Sequence, residues 1–286
     1  MSLFVERYAD ADSFLDRAGP FLLAREAEHN LILGLSSRLR DNPRRFGSDP
    51  YFATVSGTER DVVAAALRTP PHNLVLSEID EHDVCHAFAA DVAEVFDSLR
   101  GVLAPSGRAE EFVRMWEART GERGRLVRRQ RSHRATSVTP PEGVQGRMRP
   151  YADSDRVLVI RWLDAFVEEA LGGATVEDSE AMLDHRLSDP DGGIVIWDDD
   201  GSVSLAGWGG PTPNGIRIGP VYTPRELRRR GYASAITAEL TRSLLAGGRR
   251  FCFLFTDLAN PTSNSIYRQV GYEPVADVEE WVFEPA

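Results

Sequence analysis

Gly219-Pro220-Val221-Tyr222-Thr223-Pro224-Arg225-Glu226-Leu227-Arg228-Arg229-Arg230-Gly231-Tyr232-Ala233-Ser234 joins a β-branched strand to an amphipathic helix through an arginine run and a glycine. Gly231 and Ala233 are small, so backbone can come close to a ligand there. The first N–H groups of the following helix have no partner within it and lie at the positive end of its dipole. Three arginines stand just before them. A pyrophosphate is the natural occupant of such a site.

The flanking residues fit one mixed α/β domain. Upstream, Gly193-Ile194-Val195-Ile196-Trp197 reads as a strand, Asp198-Asp199-Asp200-Gly201 as a hairpin turn and Val203 to Trp208 as the return strand. Asn214-Gly215 marks another tight turn, and Ile216 to Thr223 is a third strand. Downstream, Ala235, Ile236, Leu240, Leu244 and Leu245 recur at helical spacing until Gly247-Gly248 stops the helix. Phe251 to Phe255 is short and apolar, the pattern of a buried central strand. Asn260 caps a further helix whose first residue is Pro261 and which Gly271 ends; Val278 to Phe283 is a closing strand.

Composition narrows the function. The 286 residues allow one large domain or two ordinary ones. With 42% hydrophobic and 27% charged residues, the chain reads as a folded soluble protein. No apolar run approaches the roughly 18 residues that span a bilayer, and Met1 to Arg7 has no basic stretch leading into an apolar one. The expectation is therefore a cytoplasmic protein without a membrane partner. A net charge of -11 argues against a nucleic-acid partner, which requires a basic face. Cys85 and Cys252 are too few for a disulfide framework or a thiolate metal site, and no metal is expected. All 33 basic residues are arginine. Without lysine there is no Walker lysine, no Schiff-base lysine and no kinase strand lysine. The lysine deficit, with abundant Ala, Arg and Gly, points to a GC-rich bacterial genome. Residues 151–200 hold 14 acids and 3 arginines, whereas 201–250 hold 2 acids and 8 arginines. That contrast fits two local sites of opposite preference, and equally two ordinary solvated surfaces.

The chain also shows a repeat. Tyr8-Ala9-Asp10-Ala11-Asp12 recurs as Tyr151-Ala152-Asp153-Ser154-Asp155, 143 residues later. Each copy follows a strand-like segment and precedes a helical pattern. Between them Ser137-Val138-Thr139-Pro140-Pro141-Glu142-Gly143 reads as a linker. The expected division is a domain over 1–135, a linker over 136–146 and a domain over 147–286. Arg123 to Arg134, just before the linker, reads as a last edge strand of the first domain.

Arg228-x-x-Gly231-x-Ala233 resembles the Q/R-x-x-G-x-G/A signature of the Gcn5-related N-acetyltransferases (GNAT family). Asn260-Pro261-Thr262-Ser263-Asn264-Ser265-Ile266-Tyr267-Arg268-Gln269-Val270-Gly271-Tyr272 resembles the N-x-x-S-N/A-x-x-Y-x-x-x-G-F/Y stretch of the same family. The two stand in the right order and in the right elements. Ala233 replaces the commoner glycine and Tyr272 the commoner phenylalanine. The resemblance covers about Gly146 to Phe283. It implies a GNAT fold in two tandem copies, with a mixed sheet that splays open between the strand ending near Thr223 and the one ending near Phe255. Acetyl-CoA, the implied co-substrate, would lie in that cleft. Main-chain groups of Val221, Tyr222 and Thr223 would pair with the pantetheine arm, which Asn260 and Asn264 would also contact. Arg228, Arg229, Arg230, Gly231, Tyr232, Ala233 and Ser234 would hold the pyrophosphate. Tyr267 aligns with the family's tyrosine that protonates the departing thiolate; read from the residues alone it is a helix tyrosine packed on the sheet.

The implied reaction is direct acetyl transfer to a primary amine of a small molecule or peptide, by a monomer or homodimer. The alternative is an acyl-CoA-binding sensor without turnover. Asp257, Glu168 and Glu169 are candidates for the base that deprotonates the amine, or simple solvated carboxylates. His185, beside Asp184 and Arg186, reads as a surface residue. In the N-terminal half, Tyr51 to Val55, Val62 to Leu67 and Leu74 to Ile79 read as strands, and Val84 to Leu99 and Gly107 to Ala118 as helices. No R-x-x-G-x-G/A stands there; Ser77-Glu78-Ile79-Asp80-Glu81-His82-Asp83 is acidic instead, and Trp116 lies near the tyrosine's place. The expectation is a degenerate GNAT-like domain that does not bind CoA and instead walls the acceptor site or mediates dimerisation. His82 and His86 have the spacing of a metal pair but no third ligand, and read as surface histidines.

Overall fold

A computed structural model describes residues 3–81, 83–173 and 178–285. Its elements run twice in the same order. The first series is β1 (Phe4–Tyr8), α1 (Ala11–Ala24), α2 (Asn30–Asp41), β2 (Tyr51–Ser56), β3 (Val62–Arg68), β4 (Leu74–Leu76), α3 (Val84–Val95), β5 (Gly101–Pro105), α4 (Ala109–Thr120) and β6 (Arg123–Ala135). The second is β7 (Arg147–Pro150), α5 (Arg156–Leu171), α6 (Ser179–Leu187), β8 (Gly193–Asp198), β9 (Ser202–Gly209), β10 (Gly215–Tyr222), α7 (Tyr232–Ala246), β11 (Phe251–Asp257), α8 (Pro261–Val270) and β12 (Glu273–Glu284). The repeated Tyr-Ala-Asp-x-Asp sits at the first strand-to-helix junction of each series. There Asp10 caps α1 by accepting from the Ser13 amide at 2.8 Å, and Asp155 accepts from the Ala152 amide at 2.9 Å.

The chain forms two compact units, residues 1–132 with 275–286, and residues 133–274. In the first, strand order is β1-β2-β3-β4-β5-β12-β6. Side chains alternate across a strand, so each face gathers its own core. Ala53, Val55, Ala64 and Ala66 join Phe88, Phe112 and Trp116 of α3 and α4. Phe52, Ala65 and Leu67 join Phe14, Leu22, Ile32 and Leu39 of α1 and α2.

In the second unit the order is β11-β10-β9-β8-β7, antiparallel except for β10 with β11. Val195, Trp197, Ile216 and Ile218 pack with α7 and α8, while Ile194, Ile196 and Leu205 pack with α5 and α6. This mixed α/β architecture is the expected fold class.

The unit boundaries differ from the sequence reading at both ends of the second unit. Residues 136–146, read as a free linker, belong to it. The Thr139 amide donates to the Val270 carbonyl, Trp197 Nε1 donates to the Gln145 carbonyl, both at 2.9 Å, and Val144 packs on the α7 core. Residues 275–286, read as part of the second domain, belong to the first unit. There Val278–Val282 pair with β5, and Phe283 packs against Trp116. The acids of β12 meet the arginines of β6: Arg131 with Asp277 at 2.6 Å, Arg129 with Glu279 at 3.0 Å, and Arg125 with Glu284 at 2.9 Å. A strand joins the neighbour that complements it, and β6 supplies that complement.

Candidate active site

β10 and β11 run parallel and pair only over Gly215–Arg217 and Phe251–Phe253. Beyond those three residue pairs no register is kept, and the strand ends separate. A bulge between Ile218 and Val221 breaks the β10–β9 register just beyond that level. The backbone of β10 facing this gap has N–H and C=O groups that no strand takes up. On its other side β10 stays paired with β9, and Ser204 Oγ donates to the Tyr222 carbonyl at 2.9 Å.

α7 opens on the gap. Its cap residue, Gly231, has φ +84°, and no side chain caps the helix. The first backbone hydrogen bond at this end runs from the Ala235 amide to the Gly231 carbonyl. The amides of Tyr232, Ala233 and Ser234 are left to a ligand or to water. Arg229 also takes a positive φ, 63°. Arg229 and Arg230 are exposed, and among the described residues neither has an ion pair. An uncapped helix start beside two exposed guanidinium groups, one of which also meets the Tyr232 hydroxyl, has the charge and the donors that suit an anion. Tyr232 faces inward and donates to Asp199 Oδ2 at 2.5 Å, fixing the helix start to the β8–β9 turn.

Arg228 is turned elsewhere. Its Nε donates to the Thr223 carbonyl at 2.9 Å, and its guanidinium pairs with Glu169 at 2.7 Å. It braces the loop rather than facing the amides. Asn260 and Asn264 are also occupied by local structure. Asn260 Oδ1 caps α8 by accepting from the Ser263 amide at 3.1 Å. Asn264 accepts from Thr256 Oγ1 at 2.6 Å and donates to the carbonyls of Asp257 and Asn260, both at 2.9 Å. These bonds shape the start of α8.

Tyr267, on α8, is half-buried with its ring 6.1 Å from that of Tyr272. Among the described residues its hydroxyl has no hydrogen-bond partner. Burial pushes its phenol up to about 12, so at neutral pH the group holds its proton. Tyr272 beneath it is anchored by a 2.7 Å hydrogen bond with Thr241 Oγ1.

The base candidates separate. Burial alone would raise the Glu169 carboxyl, but hydrogen bonds from Arg228, Arg225 and Tyr222 hold it below the ordinary carboxylate range, which suits an ion pair better than a base. Asp257 Oδ1 accepts from the Ala259 amide at 2.7 Å, a turn contact. Glu168 and His185 are exposed. His82 lies outside the described residues, and His86 Nε2 stands 3.3 Å from Arg119. Two contributors escape the motifs. Val144 packs onto Gly231, where an added Cβ would come within 2.7 Å of its Cγ2. Glu169 fastens the loop. Only the acidic block beside the arginine run hinted at such a pairing.

The counterpart region of the first unit is built otherwise. β4 has only 3 residues. The acidic segment after it is held down by Arg108, which donates to the Ile79 and Asp80 carbonyls at 3.1 Å each, and by Arg25, paired with Asp80 at 2.8 Å. Trp116 is fully buried and donates Nε1 to Glu122 at 2.7 Å. Among the described residues of the chain no group of three or more His, Cys, Asp or Glu is placed to hold a metal, and no helix is long and apolar enough to cross a membrane.

Residues 193–282 match the family model described as FR47-like protein. Among curated proteins none matches the sequence. Solved structures match over nearly the whole chain. A GCN5-related N-acetyltransferase from Sphaerobacter thermophilus is 18% identical with a TM-score of 0.58, covering 98% of this chain and 95% of its own. A Drosophila protein from a structural-genomics programme is 14% identical with a TM-score of 0.67, covering 99% of both chains. A tandem GNAT protein from the clavulanic acid biosynthesis pathway is 13% identical with a TM-score of 0.53, covering 99% of this chain and 98% of its own. At these identities the likeness shows the fold: it is that of the GCN5-related N-acetyltransferases, in tandem.

Proposed function

We propose that residues 133–274 form an acetyl-CoA-dependent N-acetyltransferase that passes the acetyl group directly to a primary amine of a small molecule or peptide. The observation that carries this reading is the pairing of two features on one splayed strand pair. An uncapped helix start with two exposed arginines follows β10, and a protonated tyrosine hydroxyl without a hydrogen-bond partner among the described residues stands on the helix that follows β11.

The residues fit the co-substrate. The backbone groups of Val221, Tyr222 and Thr223 that neither β9, Ser204 nor Arg228 takes up suit the amides of a pantetheine arm, which would add to the free side of β10 like a strand. The amides of Tyr232, Ala233 and Ser234, with Arg229 and Arg230, suit a pyrophosphate. When bound, the thioester supplies an activated acetyl group.

The neutral amine nitrogen bonds to the acetyl carbonyl carbon, the carbon–sulfur bond breaks, and the proton that the nitrogen sheds goes to solvent, which restores the one that Tyr267 gives up. Tyr267 then delivers its phenolic proton to the departing sulfur. A phenol has an ordinary pKa near 10 and a thiol one near 8.5. Tyr267, raised further by burial, is the weaker acid of the pair, so the proton moves to sulfur only as negative charge builds on it in a dry cleft, and the step is drawn on by formation of the amide.

The test is CoA-thiol release from acetyl-CoA against a panel of amines, read with a thiol-reactive dye. Cys85 and Cys252 are buried, and burial pushes both up to about 12, so the protein's own thiols stay silent. Release that depends on one amine class supports the enzyme and names its acceptor chemistry. Acetyl-CoA binding without release for any amine would favour an acyl-CoA sensor.

A further inference from the structure

Glu169 stands in the last turn of α5 and belongs to neither signature, yet it holds three parts of the candidate site. Its Oε1 accepts from the Tyr222 hydroxyl and from Arg225 Nε, both at 3.2 Å. Its Oε2 accepts from Arg228 at 2.7 Å. Arg228 in turn donates to the Thr223 carbonyl at 2.9 Å and sets its guanidinium 5.7 Å over the Tyr222 ring. One carboxylate thus fastens the end of β10, the 3-10 turn Arg225–Leu227 and the first arginine of the signature. Charge-assisted bonds of this kind are short, directional and about twice as strong as neutral ones.

The contacts also divide the arginines. Arg225 and Arg228 are spent on Glu169, whereas Arg229 and Arg230 are exposed without an ion pair among the described residues. Through space, a carboxylate beside an anion site repels the anion. Whatever Glu169 contributes to binding must therefore come from geometry.

We propose that Glu169 is a positioning residue: through Tyr222, Arg225 and Arg228 it holds the strand end and the anion loop in register, and leaves Arg229 and Arg230 to meet the phosphates. This rests on the CoA-binding reading above. It separates two substitutions. Glu169→Ala removes the clamp and weakens CoA binding. Glu169→Gln removes the repulsion but keeps an acceptor oxygen for Arg228, so binding is retained.

The experiment is calorimetric titration of CoA into the full chain, with thermal unfolding of every variant recorded beside it. Glu169→Ala is expected to raise Kd about tenfold or more, the loss of one to two such bonds. Glu169→Gln is expected to stay within about threefold of the parent. Arg228→Gln should weaken CoA no more than Glu169→Ala does, and adding it to Glu169→Ala should cost little further, because the two changes share the Glu169–Arg228 contact. If Glu169→Ala does not fold, the Gln variant and Arg228→Gln still carry the comparison. The proposal is overturned if Glu169→Ala binds CoA as the parent does. It is equally overturned if Glu169→Gln loses turnover with unchanged CoA affinity, the mark of a base. A parent chain that does not bind CoA at all defeats the function reading itself, and that result is visible before any variant is made.

Discussion

At the scale of single residues, the account turns on groups whose burial sets their protonation. Tyr267 keeps its proton because burial disfavours the phenolate. Its hydroxyl is the only part that phenylalanine lacks, so Tyr267→Phe should lower kcat about a hundredfold while leaving CoA affinity in place. A fall in affinity with kcat unchanged would make it a packing residue. Cys85, Cys252 and Tyr267 all sit near 12, against ordinary values of 9.0 for a thiol and 10.0 for a phenol. Tyr272 is raised too, by burial first. Between pH 9 and 12 the unfolded chain therefore binds fewer protons than the folded one. Stability is full below pH 9 and declines as pH rises toward 12. Denaturant midpoints measured from pH 7 to 11 should be level at first and then fall; a rise above pH 9 would contradict the assignment.

Among the elements, the start of α7 is tightly constrained backbone. Gly231 has φ +84° and a Val144 methyl where a Cβ would go. Gly231→Val should cost about 1–2 kcal/mol for the left-handed conformation alone, before Val144 is displaced. CoA binding should be lost with it. Adding Val144→Ala relieves the crowding but not the φ strain, so unfolding measurements on the pair should recover only part of the loss.

Much of this element was readable in the sequence, because strand, glycine, helix period and Asn260-Pro261 cap are local features. Local reading also placed β2, β3, β8 to β11 and α7 to within a few residues. It carried α3 to Leu99, whereas the helix ends at Val95 and Phe96 turns extended. β5 escaped it, being 5 residues bracketed by Gly101 and Pro105, both chain breakers by habit. The clamp by Glu169 was out of reach, since its partner Arg228 lies 59 residues away. Val144 lay in a stretch whose Pro-Pro-Glu-Gly composition speaks only of a loop.

Across the whole molecule, two series of the same ten elements read as one plan used twice, and the proposed chemistry falls to the second copy. The first copy has neither the arginine-glycine loop nor the tyrosine, and its acidic segment is tied down by Arg25 and Arg108. It is expected to leave CoA unbound. The last strand belongs to the first unit, a pairing that nothing within Val275–Glu284 announces. Each exposed ion pair there contributes only about 0.2–1 kcal/mol. The burial of Phe283 against Trp116 adds more, about 2 kcal/mol. Deleting residues 275–286 should therefore loosen the first unit, with amide exchange rising in α3 and α4 while α7 and α8 hold. The reverse pattern would return the strand to the second unit.

The most direct measurement for the central claim is amide hydrogen exchange on the full chain with and without CoA. CoA should bring new protection at Tyr232 to Ser234 and at Val221 to Thr223, and none at the start of α3. Unchanged exchange at the start of α7, or protection confined to the first unit, would contradict it.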